Sequence, residues 1–146
     1  MRWALLLLGL AAHVEAAETV SGKVVAVPNG DTLVIETDGK KRQRIRLADV
    51  DAPERRQPHG AQARDSLSEL CLKKQAEVDQ GHVKCDGVEV NAEQVKRGWA
   101  WVSLKGTRPR HALYELEAHA RLRQLGLWAG ENPIPPWEWR ASRSRP

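Results

Sequence analysis

Residues 19–50 read TVSGKVVAVPNGDTLVIETDGKKRQRIRLADV, and the spacing of turns in this stretch decides the fold class. Thr19 to Val27 is rich in Val and Thr and stops at Pro28-Asn29-Gly30-Asp31. Thr32 to Thr37 follows and ends at Asp38-Gly39. Lys40 to Val50 then sets Ile45 and Leu47 against Arg44 and Arg46. Short β-branched runs separated by N-G and D-G dipeptides predict a meander of antiparallel hairpins, because those dipeptides tolerate the positive φ of tight turns. Ala52-Pro53-Glu54 breaks the alternation, and a charged loop runs on to Gly60.

Downstream the period changes. Ala63, Leu67, Leu70 and Cys71 stand at i, i+4, i+7 and i+8, one face of an amphipathic helix. Two brief strand-like pieces follow, Ala76 to Val78 and His82 to Cys85, with Asp86-Gly87 as the next turn. Asn91 reads as the N-cap of a short helix through Lys96, with Gln94 three residues on, Gly98 as its stop, and Val90 and Val95 placed for a hydrophobic staple. Leu113, Leu116 and Ala120 mark a last helix ending near Gly126. The tail from Asn132 is Pro-rich and then Arg/Ser-rich, which predicts disorder over its last half-dozen residues. Strands first and helices after, in a chain this short, predict an α+β fold. A small β-barrel carries the helices, and the open five-strand OB type is the natural candidate.

Composition sets the outer bounds. With 146 residues, 29% charged and 41% hydrophobic, the chain is one domain with short appendages, not a collagenous, mostly disordered or multi-span membrane protein. Twenty-three Lys+Arg against 19 Asp+Glu give +4, so any basic partner surface has to be local. Met1-Arg2, the apolar run Trp3 to Ala12, and Val14 and Ala16 at −3 and −1 read as a secretory signal peptide over residues 1–16. The run is far shorter than the ~20 residues that span a bilayer. The expected organisation is therefore a signal peptide (1–16), an OB domain (17–131) and a Pro/Trp/Arg-rich tail (132–146). The mature protein is expected to be a monomer exported to the periplasm or medium, without stable membrane association.

Three acidic residues stand where the strand pattern breaks: Asp31 after the N-G turn, and Asp51 and Glu54 bracketing Ala52-Pro53. If the second and third strands are neighbours, their ends bring these carboxylates together. Hard oxygen ligands suit Ca²⁺ or Mg²⁺ rather than zinc. Arg46, five residues before Asp51, is placed to clamp phosphate oxygens beside such a cation. Spacing alone leaves bland readings open: Asp31 finishing a β-turn, Asp51 and Glu54 starting a loop, Arg46 solvated on a basic strand.

Asn29-Gly30-Asp31-Thr32-Leu33 and Ile45-Arg46-Leu47-Ala48-Asp49-Val50-Asp51-Ala52-Pro53-Glu54 resemble the two leading motifs of the staphylococcal nuclease (thermonuclease) family. The similarity continues through Gly60 and Ala63, Asp86 to Asn91, Val95 to Ala100, and Ala120-Arg121 to Gly126-Leu127-Trp128. Pro136-Trp137-Glu138-Trp139-Arg140 is similar to exported bacterial members. The resemblance implies a five-stranded Greek-key OB barrel with about three helices, and a Ca²⁺-dependent phosphodiesterase acting on DNA and RNA, single-stranded or denatured. By motif position Asp31 and Asp51 supply metal carboxylates and the Ala52 carbonyl a third ligand. Glu54 orients or deprotonates the attacking water, Arg46 holds the phosphate, and a 3′-phosphate is left.

The chain departs from the family between Val78 and His82, where only Asp79-Gln80-Gly81 stands in place of a D-x-Y-G-R motif. One barrel hairpin is thus expected to be truncated, with the second catalytic arginine and a base-stacking Tyr lost; no other arginine stands in an evident substituting position. Ser103 to Gly106 likewise lacks the aromatics of a second stacking place. Trp99 and Trp101 read either as replacements or as core, and His59, His82, His111 and His119 as surface residues without metal spacing. The basic run Lys40 to Arg46 and the tail arginines Arg140, Arg143 and Arg145 are candidate phosphate contacts. Catalysis is therefore expected to be impaired, the alternative being a weak or inactive nucleic-acid-binding module. Cys71 and Cys85, the only cysteines, read as a disulfide in an oxidising compartment or as two buried thiols.

Overall fold

A computed structural model describes residues 19–105 and 110–144; the expected signal peptide and Arg145 lie outside the described residues. The N-terminal meander forms β1 (Val20–Asn29), β2 (Thr32–Glu36) and β3 (Arg42–Arg46). The third predicted strand is interrupted: after Arg46 the chain turns through Asp49, at φ 62, before the two-residue β4 (Val50–Asp51). Then come α1 (Gly60–Cys71), β5 (Gln75–Asp79), β6 (His82–Cys85), β7 (Val88–Glu89), α2 (Val90–Lys96), β8 (Trp101–Val102), α3 (His111–Leu122) and α4 (Pro136–Arg143). This is an α+β fold, with every strand pair antiparallel: a six-stranded sheet in the order β3-β2-β1-β5-β6-β7 and a β4-β8 ribbon. No helix among the described residues is long and apolar enough to cross a membrane.

β1 holds the sheet together because it is long enough to pair twice. Its first half meets β5, Val20 opposite Val78 and Lys23 opposite Gln75. Toward its end it meets β2, with register shifts between Val24 and Ala26 and between Ala26 and Asn29. Such bulges bend a strand and curl its sheet, as an OB architecture requires. Val24, Leu33, Ile35 and Val83 point inward and are fully buried, and α1 lays Ala63, Leu67, Leu70 and Cys71 on them. The free side of β3 is closed by the β5–β6 turn, where the Ala48 amide donates to the Gly81 carbonyl at 2.8 Å. Gln80-Gly81 is that whole turn, with φ of 49° and 83°, the doubly left-handed geometry of the tightest hairpins.

Three local expectations are corrected. Asn91 does not cap α2; Glu89 holds the N-cap position without a side-chain bond. Asn91 is buried instead, accepting from the Val83 amide and donating to the Ala48 and Gly81 carbonyls, each within 3.0 Å. Bonds to three main-chain groups, two of them the Val83 amide and the Ala48 carbonyl, are worth more to this side chain than one helix-end N–H. Val90 and Val95 are both core residues rather than a staple. α3 is not the last helix: it ends at Leu122, a 3₁₀ turn spans Gly126–Ala129, and the tail forms α4 through Arg143 where disorder was expected. Pro135 and Pro136 start α4, since a proline at the first helical position gives up an N–H that lacks a partner anyway.

Candidate active site

Asp31 sits at the end of the β1–β2 turn and is only 2% exposed. Gly30 permits this: a Cβ there would fall 2.6 Å from the Ala63 Cβ and 2.9 Å from that of Ala52, so only glycine lets the turn close on α1. The Asp31 carboxylate accepts from the Ala52 amide at 2.9 Å and from the Thr32 hydroxyl at 3.0 Å. Burial pushes its carboxyl above the usual carboxylate range, against the opposing pull of the Ala52 amide and the Arg46 charge.

Arg46 ends β3 directly opposite Thr32 and reaches back over the same turn. Its Nη2 lies 3.1 Å from Asp51 Oδ1 and 3.4 Å from Asp31 Oδ2. Asp51 is held on β4 by pairing with Trp101 of β8 and is 5% exposed. Glu54 follows in a loop fixed by reciprocal bonds with Gln57: the Glu54 amide donates to the Gln57 side-chain carbonyl, and the Gln57 amide to the Glu54 carbonyl. The structure thus gathers Asp31, Arg46, Asp51, Ala52 and Glu54 about one cleft.

A further guanidinium enters it. From α4, Arg140 Nη2 donates to Asp51 Oδ2 at 2.7 Å, and its Nη1 donates to Asp51 Oδ1 at 3.2 Å and to Glu54 Oε1 at 2.7 Å. Sequence reasoning found Arg140 only as a tail arginine, because nothing local ties it to residues 86 and 89 positions away. The signal present was the tail's Pro-Pro-Trp run: prolines that start a helix and aromatics that could dock it. Docked it is. Trp137 packs edge-on against Trp101, centroids 6.4 Å apart, and Trp101 packs likewise against Trp128 at 5.3 Å. The Gln57 side chain donates to the Ile134 carbonyl, tying the tail to the Glu54 loop. Trp101 is therefore core, and Trp99 packs half-buried against it.

Other candidates fall elsewhere. Lys40, Lys41, Arg42 and Arg44 lie exposed along or beside β3, with Arg42 on Glu36. Arg143 stacks on Trp139 of its own helix, 4.9 Å from the ring centre. His82 meets Asp49 at 3.3 Å beside the cleft. Cys71 and Cys85 are joined, their Cα atoms 5.3 Å apart, linking α1 to β6.

The cleft has a volume of about 650 Å³, with Arg46, Asp51, Glu54 and Arg140 in its lining along with Gln80 and His82 of the shortened hairpin. In this ion-paired cluster three carboxylates, Asp31, Asp51 and Glu54, meet two guanidinia, and Asp49 and Lys105 also line the cleft. Asp31 and Asp51 approach the same Arg46 nitrogen. Among the described residues no group of three or more His, Cys, Asp or Glu stands together as a ligand cluster. A cation here would draw its other ligands from backbone carbonyl and water, which fits a hard ion such as Ca²⁺.

Comparison with known proteins gives the same assignment. The family model described as staphylococcal nuclease homologue matches residues 44–130. The chain is 33% identical over 139 residues to a micrococcal nuclease of Shigella flexneri, covering 82% of this chain and 79% of the relative. It is 37% identical over 133 residues to an uncharacterized endonuclease of Escherichia coli O157:H7, covering 83% and 85%. An uncharacterized endonuclease of Haemophilus influenzae is 33% identical over 128 residues, covering 81% and 71%. The OB-type sheet, the carboxylate–arginine cleft and these relatives lead to one conclusion: the chain belongs to the staphylococcal nuclease family, hydrolases of phosphodiester bonds.

Proposed function

We propose that the protein is a Ca²⁺-dependent endonuclease that hydrolyses DNA and RNA, single-stranded or denatured, as an exported monomer in the periplasm or medium. One observation carries this reading: Asp51, Glu54 and Arg46 line one cleft, and Asp31, buried beneath it, reaches the same Arg46 nitrogen as Asp51. Asp31, Asp51 and the Ala52 carbonyl would hold the cation, which when bound polarises the phosphate and neutralises its charge. Glu54 orients a water molecule and takes its proton as the water oxygen bonds to phosphorus. The P–O5′ bond breaks, and the 5′-oxygen takes a proton from solvent as it leaves, giving a 3′-phosphate and a 5′-hydroxyl. Arg46, half-exposed at the end of β3, clamps the phosphate oxygens as charge builds on them. The two-residue turn at Gln80-Gly81 carries no arginine, so with Arg46 as its sole phosphate-binding guanidinium the site would turn over more slowly than a relative that keeps D-x-Y-G-R.

Cleavage of denatured DNA, followed with Ca²⁺ and with chelator, tests the reading. The expected result is cleavage that needs Ca²⁺ and falls about 10²–10³-fold in Glu54→Gln and in Arg46→Ala. DNA that is bound but never cut would make the protein a binding module instead.

A further inference from the structure

We propose that Arg140, carried by the tail helix α4, is the second phosphate-binding guanidinium of this site, in the place that the shortened β5–β6 hairpin leaves without one. The inference rests on the phosphodiesterase reading above and adds a residue to it.

The geometry argues as follows. Arg46 Nη2 and Arg140 Nη1 both donate to a single atom, Asp51 Oδ1, at 3.1 and 3.2 Å. The two nitrogens are thus separated by no more than twice that distance. One phosphate whose oxygens each accept a bond of about 2.9 Å can bridge them. A guanidinium has five N–H groups, and Arg140 spends three on Asp51 and Glu54. Its Nε–H and one Nη2 hydrogen have no protein partner among the described residues. Its side chain is 43% exposed and that of Arg46 is 55%, so both reach a ligand without unfolding anything.

The arm is also built to stay in place. Asp51 and Glu54 orient the planar fork from two sides, and two-point contact fixes a guanidinium far better than one ion pair does. Trp137, three residues before Arg140, lies on the same side of α4 and packs against Trp101. Trp101 is in turn the β-ladder partner of Asp51. The group that anchors the helix and the group that holds the fork are therefore neighbours in one two-stranded ribbon.

The test compares Arg140→Ala, Arg140→Lys and Arg46→Ala in the full chain, with three readouts: single-turnover cleavage of denatured DNA, calorimetric binding of thymidine 5′-monophosphate in Ca²⁺, and Ca²⁺ binding alone. Arg140→Ala is expected to slow cleavage about 10²-fold and to weaken nucleotide binding about tenfold, with Ca²⁺ affinity held within a factor of about three. Arg140→Lys should restore part of the nucleotide binding and little of the rate, since lysine keeps the charge and loses the fork. The proposal is overturned if Arg140→Ala leaves cleavage and nucleotide binding unchanged while Arg46→Ala abolishes cleavage. It is equally overturned if Arg140→Ala tightens Ca²⁺ and speeds cleavage, which would make Arg140 a plug on Asp51. A parent protein that does not cut, or cuts regardless of Arg46 and Glu54, refutes the phosphodiesterase reading itself.

Discussion

Asp51 touches both arginines of the cleft, and Asp31 supplies the buried charge beneath it. Asp51→Asn removes a charged oxygen from the cation's ligands, so Ca²⁺ affinity should fall about tenfold or more by calorimetric titration. Equal affinity in the variant and the parent would take Asp51 out of the site. Asp31 makes a pH-dependent prediction. Burial raises its carboxyl above the unfolded value of about 3.9, so the native state binds that proton more tightly than the unfolded chain does. Its favourable contribution is full below the unfolded value and is lost as pH rises through the native one. Without Ca²⁺, Asp31→Asn, which stays uncharged, should melt higher than the parent at pH 7, and the gap should close toward pH 4. A gap of a few degrees is the scale, at about 4 °C per kcal/mol for a domain of this size. A gap that does not depend on pH would show that Asp31 carries no raised carboxyl.

The elements around the site each transmit one constraint. α4 holds Arg140 in the cleft through Trp137 and Trp101, so Trp137→Ala should loosen the helix and cut cleavage toward the roughly 10²-fold cost of a misplaced group. Combined with Arg140→Ala it should add little, because both remove the same interaction; full additivity of the rate losses would separate the two residues. Asn91 ties the shortened hairpin to the β3–β4 loop with three hydrogen bonds. Asn91→Ala leaves the Val83 amide and the Ala48 carbonyl without this partner and takes one of two donors from the Gly81 carbonyl, and should cost about 2–4 kcal/mol in denaturant unfolding. The Cys71–Cys85 link joins α1 to β6 and closes a loop of about 15 residues, worth roughly 3 kcal/mol in the chain-entropy model. After periplasmic expression, mass spectrometry should find both sulfurs oxidised, and Cys71→Ala with Cys85→Ala should lose stability of that order. Free thiols on both residues would contradict the link.

At the scale of the whole molecule, most of the fold was legible because its elements depend on near neighbours. The hairpin at Asp86-Gly87, the i, i+4, i+7, i+8 face of α1 and the inward Val, Leu and Ile of β1 and β2 follow from periods of two and 3.6 residues and from which residues accept positive φ, whereas the β1–β2 turn at Gly30-Asp31 closes without a positive φ. The carboxylates and Arg46 stand at strand breaks, which antiparallel pairing of β2 with β3 brings to one end of the sheet, but it was the resemblance to the family motifs that singled them out. Asn91 was misread because a cap and a buried bridge use the same side-chain groups, and only the neighbours in space choose between them. The end of the tail, residues 141–144, was misread because its Arg/Ser composition is that of a disordered segment. Its order comes from Trp137 on Trp101 and from the Gln57–Ile134 bond, both made with distant parts of the chain. The sequence by itself therefore determined most of the strands and the first helix, since local sterics and period suffice for these, whereas spacing left the carboxylate–arginine set open and only the resemblance to the family singled it out. Only the tertiary structure decided that a second guanidinium completes the cleft, because Arg140 is 89 residues from Asp51 and no local rule spans that distance.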